Sequence, residues 1–529
     1  MEESSLSNPS DVSASQKPLP EGMESRPGLL RVLGPGMAIA LVVGNVIGSG
    51  IFAKPGGIAS VAGDFRMILI AWVVGGGLCI LGGLCFAELA AMLPRAGGMY
   101  EYLRVTYGRL VAFLFGWADF LFRTPASIGA LAVIFVASLE EALKPSGISF
   151  GLWTEIVMAS VLILIMSWVN IVGVIWGGRV QAGTTLIKAG FLGFLALLPI
   201  LVMLIGIHEF DVSNYGTVID VDQWRSAAVD SGLGAASGLA AREETALGQG
   251  DSFAVKFAVV MLAVMWAYNG WHGITPVAEE IRNPQRNIPF ALFGGIGILI
   301  LLYVAANLAY HGVLTMEEMG QAGTEGAQQM VRKLLASRGT DVVSIGVALM
   351  SCVVMCSTFG AINSNMLNGP RISFAMGRDD VFFRQLGRVH VNYRTPATAI
   401  LVQTLMAIGL VVTSGILVSM VDGFQQTSIF DMLTDFVIFS ASIFYMLAVL
   451  AVIILRKRHP DWERPYKTWG YPVVPILYLV FYCWFLFNIY LQKPFESKTG
   501  LVLIAVGVPV FFTWRSWARR NPDPLGDGQ

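Results

Sequence analysis

The sequence predicts an all-α polytopic membrane protein of twelve transmembrane helices, built as two inverted five-helix repeats with an accessory pair. Three observations lead there. The 529 residues are 55% apolar and only 13% charged, with a mean hydropathy of +0.65, a balance suited to life in hydrocarbon. Windows of about 20 apolar residues, each long enough to cross a bilayer, follow one another along the chain. Two of those windows, the first and the sixth, are interrupted in the middle by glycine-centred polar runs.

The windows fall at residues 36–63, 66–93, 110–139, 151–174, 178–206, 253–280, 288–314, 342–370, 395–420, 428–455, 472–492 and 499–518. Residues 1–30 are polar and rich in Ser, Pro and Glu, without the cleavage pattern of a secretory leader, and read as a disordered cytoplasmic tail. Residues 31–206 form the first five-helix unit and 253–455 the second. Residues 456–518 add accessory helices eleven and twelve, and 519–529 form a second cytoplasmic tail. Between the units, residues 207–252 form a long extracellular loop rich in Gly, Ala and Ser. With both termini cytoplasmic, the inner segments carry twice as many Lys and Arg as the outer loops, as the positive-inside bias requires of a multi-pass cell-membrane protein.

Composition also excludes classes. A net charge of −1 with scattered basic residues gives no nucleic-acid footprint. Cys79, Cys85, Cys352, Cys356 and Cys483 all lie in apolar segments and read as small buried hydrophobes. No His/Cys/carboxylate cluster suits a metal, no cofactor motif is present, and neither HExxH nor Gly-x-Ser-x-Gly marks an enzyme.

The interruptions carry the functional signal. Gly48-Ser49-Gly50 breaks the first span, and Asn269-Gly270 the sixth, within Tyr268-Asn269-Gly270-Trp271-His272-Gly273. An unpaired backbone group in hydrocarbon costs several kcal/mol, so irregular backbone survives only where it is buried in protein or lines a wet cavity. N–H groups starting a half-helix attract an anion and C=O groups ending one attract a cation; a zwitterion satisfies both. Two breaks five spans apart imply units of opposite orientation. That is the pattern of a secondary transporter with a midplane site.

The runs GNVIGSGIF (44–52), FAELAAMLPRAGGMYEYL (86–103), RVQAGTTLIK (179–188), YNGWHGITPVAEEIRNPQRNIP (268–289) and RKRHPDWERPYKTWGYPVVP (456–475) resemble the amino acid–polyamine–organocation superfamily, nearest its L-type amino acid transporter branch and prokaryotic relatives. The resemblance spans residues 30–490. It implies a LeuT-type fold of five-plus-five inverted repeats with discontinuous helices 1 and 6, and transport of an L-amino acid by alternating access. The carboxylate-binding amides then fall on Ser49 and Gly50, beside Gly48. The amino-group acceptors fall on the carbonyls of Val46, Trp266 and Asn269, beside Ala267 and Gly270, and the aromatic gate falls on Trp266. Where many relatives have Gly-Gly-Trp, this chain has Asn269-Gly270-Trp271, which adds a side-chain amide to the site. Residues 140–153 contain no cysteine, so the disulfide that tethers animal members to a heavy-chain glycoprotein is not expected.

Lys188 lies mid-span in the fifth helix, about 15 Å from its start at ~1.5 Å per residue, where an ammonium needs a partner. The resemblance places it where sodium-coupled relatives hold sodium, implying sodium-independent exchange or proton-coupled uptake. Asp119 and Arg123, at i,i+4 on the third span, read as a structural ion pair. Glu88, Glu279 and Glu280, with Arg95, Arg282 and Arg286, read as a cytoplasmic gate. His272 reads as a hydrogen-bonded structural group, and Phe359, Asn363 and Asn365 as residues able to face the site. No carboxylate stands beside either break, so neutral amino acids fit better than polyamines. A cationic amino acid or polyamine antiporter, and a sensor or channel on the same scaffold, are the alternatives.

Overall fold

The computed structural model describes residues 33–204, 211–216, 252–420 and 428–520, less a few single positions within them, together with Gly206 and Val218. The expected tails and most of the 207–252 loop lie outside the described residues. Eleven helices among the described residues are long and apolar enough to cross a membrane, and the shorter apolar helix Phe253–Tyr268 supplies a further candidate span. The result is an all-α polytopic protein.

Local chemistry sets the elements that matter. The first span starts at Pro35, where a missing N–H is harmless, and runs to Val46 before Ile47 turns extended. Helix resumes at Gly50–Ala53 and continues through Pro55–Ala62, since Lys54 between them keeps helical angles. Gly63 closes it with a left-handed φ of 68°. Asp64 then caps the second span (Phe65–Met92) by accepting the Arg66 N–H.

The third span, Arg109–Ser146, contains a π turn at Asp119–Arg123 that the apolar pattern did not foretell. The fourth to twelfth spans are Leu152–Val172, Val174–Leu204, Phe253–Tyr268 with the 3-10 segment Thr275–Glu280, Pro284–Val313, Thr340–Arg378, Ala397–Met420, Ile429–Arg458, Val473–Gln492 and Pro494–Arg520. The sixth span therefore resumes as a short 3-10 segment after its break, and not as a full helix.

The broken spans lie at the centre. The seventh span packs on the first and second, and the third packs on the eighth and tenth. Large apolar side chains on the fourth, fifth, eighth and eleventh spans point outward: Trp168, Leu186, Leu349 and Phe487 are all more than 60% exposed. Such a surface belongs in lipid, where contiguous apolar area carries no penalty. The cysteine expectation needs correction on the same ground. Cys79 and Cys85 are buried, but Cys352, Cys356 and Cys483 are exposed, because an apolar thiol suits a lipid-facing position as well as a core.

Two short helices, Met316–Gln321 and Gly326–Leu335, follow the seventh span. The first opens with a capping box between Thr315 and Glu318. They pack on the second half of the first span, where a Cβ on Gly56 would lie 2.3 Å from the Gly323 carbonyl oxygen. Buried Glu141 at the end of the third span pairs with Arg332 of this cap and with Lys144.

At the other end the expected gate is distributed differently. Glu88 is 1% exposed and accepts two hydrogen bonds from Arg456 of the tenth span, at 2.8 and 2.6 Å, and the Thr468 N–H. Arg95 instead pairs with Glu101, which also holds Arg104; Tyr100 donates to Asp379 beyond the eighth span. Buried Glu88 needs a rigid partner, which the tenth-span guanidinium supplies in bidentate geometry. The side chains of Glu279 and Glu280 lie outside the described residues.

Candidate functional site

The two breaks meet. A Cβ on Gly50 would lie 2.4 Å from Ala267 Cα, and one on Gly270 (φ +99°) would lie 2.9 Å from the Asn45 carbonyl oxygen. Only glycine permits so close an approach at either position. The cavity at this junction is lined by Val46, Gly48, Ser49, Gly50, Trp266, Asn269 and Gly270. Ala267 stands behind Gly50 as its packing surface.

The electrostatics of the first break follow from its geometry. The N–H groups of Phe52 and Ala53 bond back to the Ser49 carbonyl. Those of Ser49 and Gly50 precede the first intrahelical bond and have no acceptor among the described residues. They form a small patch of positive dipole at the cavity wall.

The carbonyls of the preceding half-helix are partly engaged. Tyr303 of the seventh span is fully buried; its hydroxyl lies 3.2 Å from the Val46 carbonyl oxygen and 3.0 Å from that of Ala267. It therefore ties the first break to the sixth. The Trp266 carbonyl accepts the Asn269 N–H at 3.0 Å. Each carbonyl keeps a second lone pair for a ligand ammonium. Replacing Tyr303 by phenylalanine is expected to remove the single donor that these two carbonyls share, destabilising the protein by about 1–3 kcal/mol. A lowered thermal midpoint in detergent, with weaker ligand-induced stabilisation, would register both effects.

Lys188 does not line the cavity. It sits behind the first break, 2% exposed, and donates to the Ile47 carbonyl at 3.1 Å. Ser357 of the eighth span donates to the Gly48 carbonyl at 3.1 Å. Gly360, one turn on, leaves the room that the lysine fills, since a Cβ there would lie 2.7 Å from Lys188 Cε. No carboxylate pairs with Lys188 among the described residues, so its charge is met by the negative end of the half-helix.

One face of the cavity is sealed. Trp266 donates from its indole N–H to Ser49 Oγ at 3.3 Å, and its ring meets Phe430 edge-on with centroids 6.0 Å apart. Beyond them buried Lys54 holds Asp431 at 2.6 Å and Thr434 at 2.7 Å, its ammonium 4.5 Å from the centre of the Phe430 ring. The cavity extends the opposite way, toward Gly97, Met99, Pro276 and Ile372.

Several lining residues went unread in the sequence. Asn45 accepts from Ser364 at 2.5 Å. Arg123 forms the expected ion pair with Asp119 on the π turn and is also one of the residues lining the cavity. Asn365 lines the cavity as expected of an inward polar group, whereas Asn363 turns away to Asn170 at 3.1 Å and Phe359 packs at the edge of the core. Asn45 and Arg123 were visible as polar residues within apolar spans. Tyr303, in a seventh span of otherwise ordinary composition, gave no such signal.

Two discontinuous helices meeting at a central cavity, with their free backbone groups turned to it, define a membrane transporter of small solutes. The chain belongs to the amino acid permease family, whose sequence profile matches residues 33–513, and lies within the amino acid–polyamine–organocation superfamily near its L-type branch. It is 30% identical to the serine/threonine exchanger SteT of Bacillus subtilis (strain 168), over 92% of this chain and 97% of that protein. It is 28% identical to the human large neutral amino acids transporter small subunit 2, over 91% and 80% of the two chains. It is also 28% identical to the mouse Asc-type amino acid transporter 1, over 93% and 83%.

Proposed function

We propose that the protein carries neutral L-amino acids across the cell membrane by alternating access, without sodium, through exchange or proton-coupled uptake. The observation that carries this reading is the charge inventory of the cavity. Unpaired amides at Ser49 and Gly50 suit a carboxylate, and carbonyls at Val46, Trp266 and Asn269 suit an ammonium. No carboxylate is among the described lining residues, and the one lining cation, Arg123, is already paired with Asp119, so a lysine-like or polyamine side chain would find no free counter-charge there. The relatives' names, serine/threonine exchanger and large neutral amino acids transporter, agree with a neutral substrate.

In this reading residues 31–206 and 253–455 are the two repeats, and they rock about the cavity. Both termini are cytoplasmic, so the Trp266–Phe430 and Lys54–Asp431 contacts close the outer path while the cavity opens inward. Trp266 is the gate residue, and Lys188 occupies the place of a coupling ion as a cation. Arg95 works with Glu101 at the inner rim, and Glu279 and Glu280 complete that rim. With no cysteine in residues 140–153, the carrier works without a disulfide-linked heavy chain.

The test is counterflow in vesicles at equal pH on both sides. Vesicles preloaded with an unlabelled neutral amino acid are expected to accumulate the labelled one transiently. Labelled ornithine or putrescine is expected to accumulate poorly. Uptake that runs only with an inward proton gradient selects symport over exchange, and preferential uptake of the cations overturns the neutral-substrate reading.

A further inference from the structure

Asn269 is where this chain departs from its family's pattern, and its backbone does not ask for it. With φ −60° and ψ 143°, the position is open to any residue. The side chain must be explained by what it touches. Its Oδ1 accepts a hydrogen bond from the Tyr445 hydroxyl of the tenth span at 2.8 Å. Its amide NH2 has no partner among the described residues, and the residue is half-buried at the cavity wall.

Tyr445 itself is buried and does not line the cavity. Around it stand Phe86, Trp271 and His272, with ring centroids 6.4, 5.9 and 4.9 Å from its own. A packed aromatic cluster therefore lies behind Asn269, with His272 of that cluster also at the cavity wall, and the carboxamide projects from it at the cavity's edge. Its length shortens the cavity. With one lone pair of its oxygen held by Tyr445, the carboxamide is fixed in orientation and its NH2 offers two donors to whatever occupies the space in front.

We propose that Asn269, oriented by Tyr445, is the specificity-determining side chain of this transporter. It admits small neutral amino acids whose side chains bear a hydrogen-bond acceptor, such as a hydroxyl or carboxamide oxygen, and by shortening the cavity it keeps large aliphatic and aromatic ones out. Tyr445 is a positioning residue: it holds the carboxamide plane so that the NH2 faces the cavity. This inference rests on the neutral-amino-acid reading of the site and narrows it.

The experiment ranks labelled L-serine, L-asparagine, L-alanine, L-leucine and L-phenylalanine by counterflow into vesicles holding the full-length protein or its variants. The wild type is expected to favour serine and asparagine over leucine and phenylalanine. Asn269→Gly, by removing the carboxamide and lengthening the cavity, is expected to raise leucine and phenylalanine relative to serine by about tenfold or more, the scale on which pocket volume discriminates apolar groups. Tyr445→Phe keeps the bulk of Asn269 but frees its orientation. It is expected to reduce the preference for serine and asparagine over alanine by about fivefold, as loss of one oriented hydrogen bond does, while phenylalanine stays excluded.

A purely structural role for Tyr445 would lower all rates together and leave the ranking unchanged. If Asn269→Gly fails to fold, Asn269→Ser makes the same opening and carries the same comparison. A wild type that takes leucine and phenylalanine as readily as serine overturns the proposal, as does a ranking unaltered in both Asn269 and Tyr445 variants. A folded wild type that exchanges none of the five overturns the reading of the site itself, a result distinct from either.

Discussion

Gly50→Leu is expected to abolish ligand binding and transport in a protein that still inserts and purifies. A Cβ at Gly50 would stand 2.4 Å from Ala267 Cα and 2.7 Å from Ala267 Cβ. These atoms belong to the second broken span and cannot rotate aside. Restoring an ordinary carbon contact of ~3.5 Å requires the two spans to part by about 1 Å. The overpacking costs about 1–3 kcal/mol, which a bundle of this size tolerates. The site does not, because a shift of about 1 Å in a preorganised constellation lowers function by about 100-fold.

Ligand-induced thermal stabilisation of the purified variant reads the loss directly, since a ligand that binds only the folded state raises its midpoint. Ser49→Pro separates binding from packing. Ser49 has φ −80°, which proline accepts, so the change removes the N–H and the hydroxyl that meets Trp266 while adding little bulk at the junction. Both variants are expected to show no ligand shift. A full-sized shift in either would mean that the substrate does not sit on the split first helix.

The second large effect is at Lys188. Lys188→Ala removes the ammonium 3.1 Å from the Ile47 carbonyl and leaves that oxygen only Ser357, 3.5 Å away. A buried acceptor left so poorly matched costs about 1–3 kcal/mol, and the loss falls on the half-helix end that shapes the cavity. Transport is expected to drop by about tenfold or more, each ~1.4 kcal/mol being tenfold. Uptake by the wild type and by any residual variant activity is expected to ignore a sodium gradient. Wild-type uptake that tracks sodium would overturn the ion-replacement argument, and an unimpaired Lys188→Ala variant would remove the lysine from the mechanism.

How much of this was legible in the sequence varies with the range of the interaction responsible. The spans were legible because hydrophobic length is a local property, and both breaks were legible because glycine and polar residues stand out in apolar runs. The π turn at Asp119–Arg123 was not, because an extra residue in a helical turn leaves apolar composition unchanged. Glu88 was expected near Arg95 because the two are close in sequence. It pairs with Arg456, 368 positions away, since only the fold brings the second and tenth spans together. The contacts of Lys54 with Asp431 and of Asn269 with Tyr445 also join distant spans, 377 and 176 positions apart.

By itself, the sequence determined that this chain crosses a membrane many times and that two of its helices are discontinuous. The first follows from the free energy of placing apolar and charged groups in lipid, and the second from the absence of side chains and helix-forming tendency at the breaks. The tertiary structure alone decided what the breaks face. It brought Gly50 against Ala267, bridged Val46 and Ala267 through Tyr303, and turned Lys188 onto the end of a half-helix. It also set Tyr445 behind Asn269. Those contacts depend on side chains from distant spans reaching one point, and no local pattern of residues encodes that meeting.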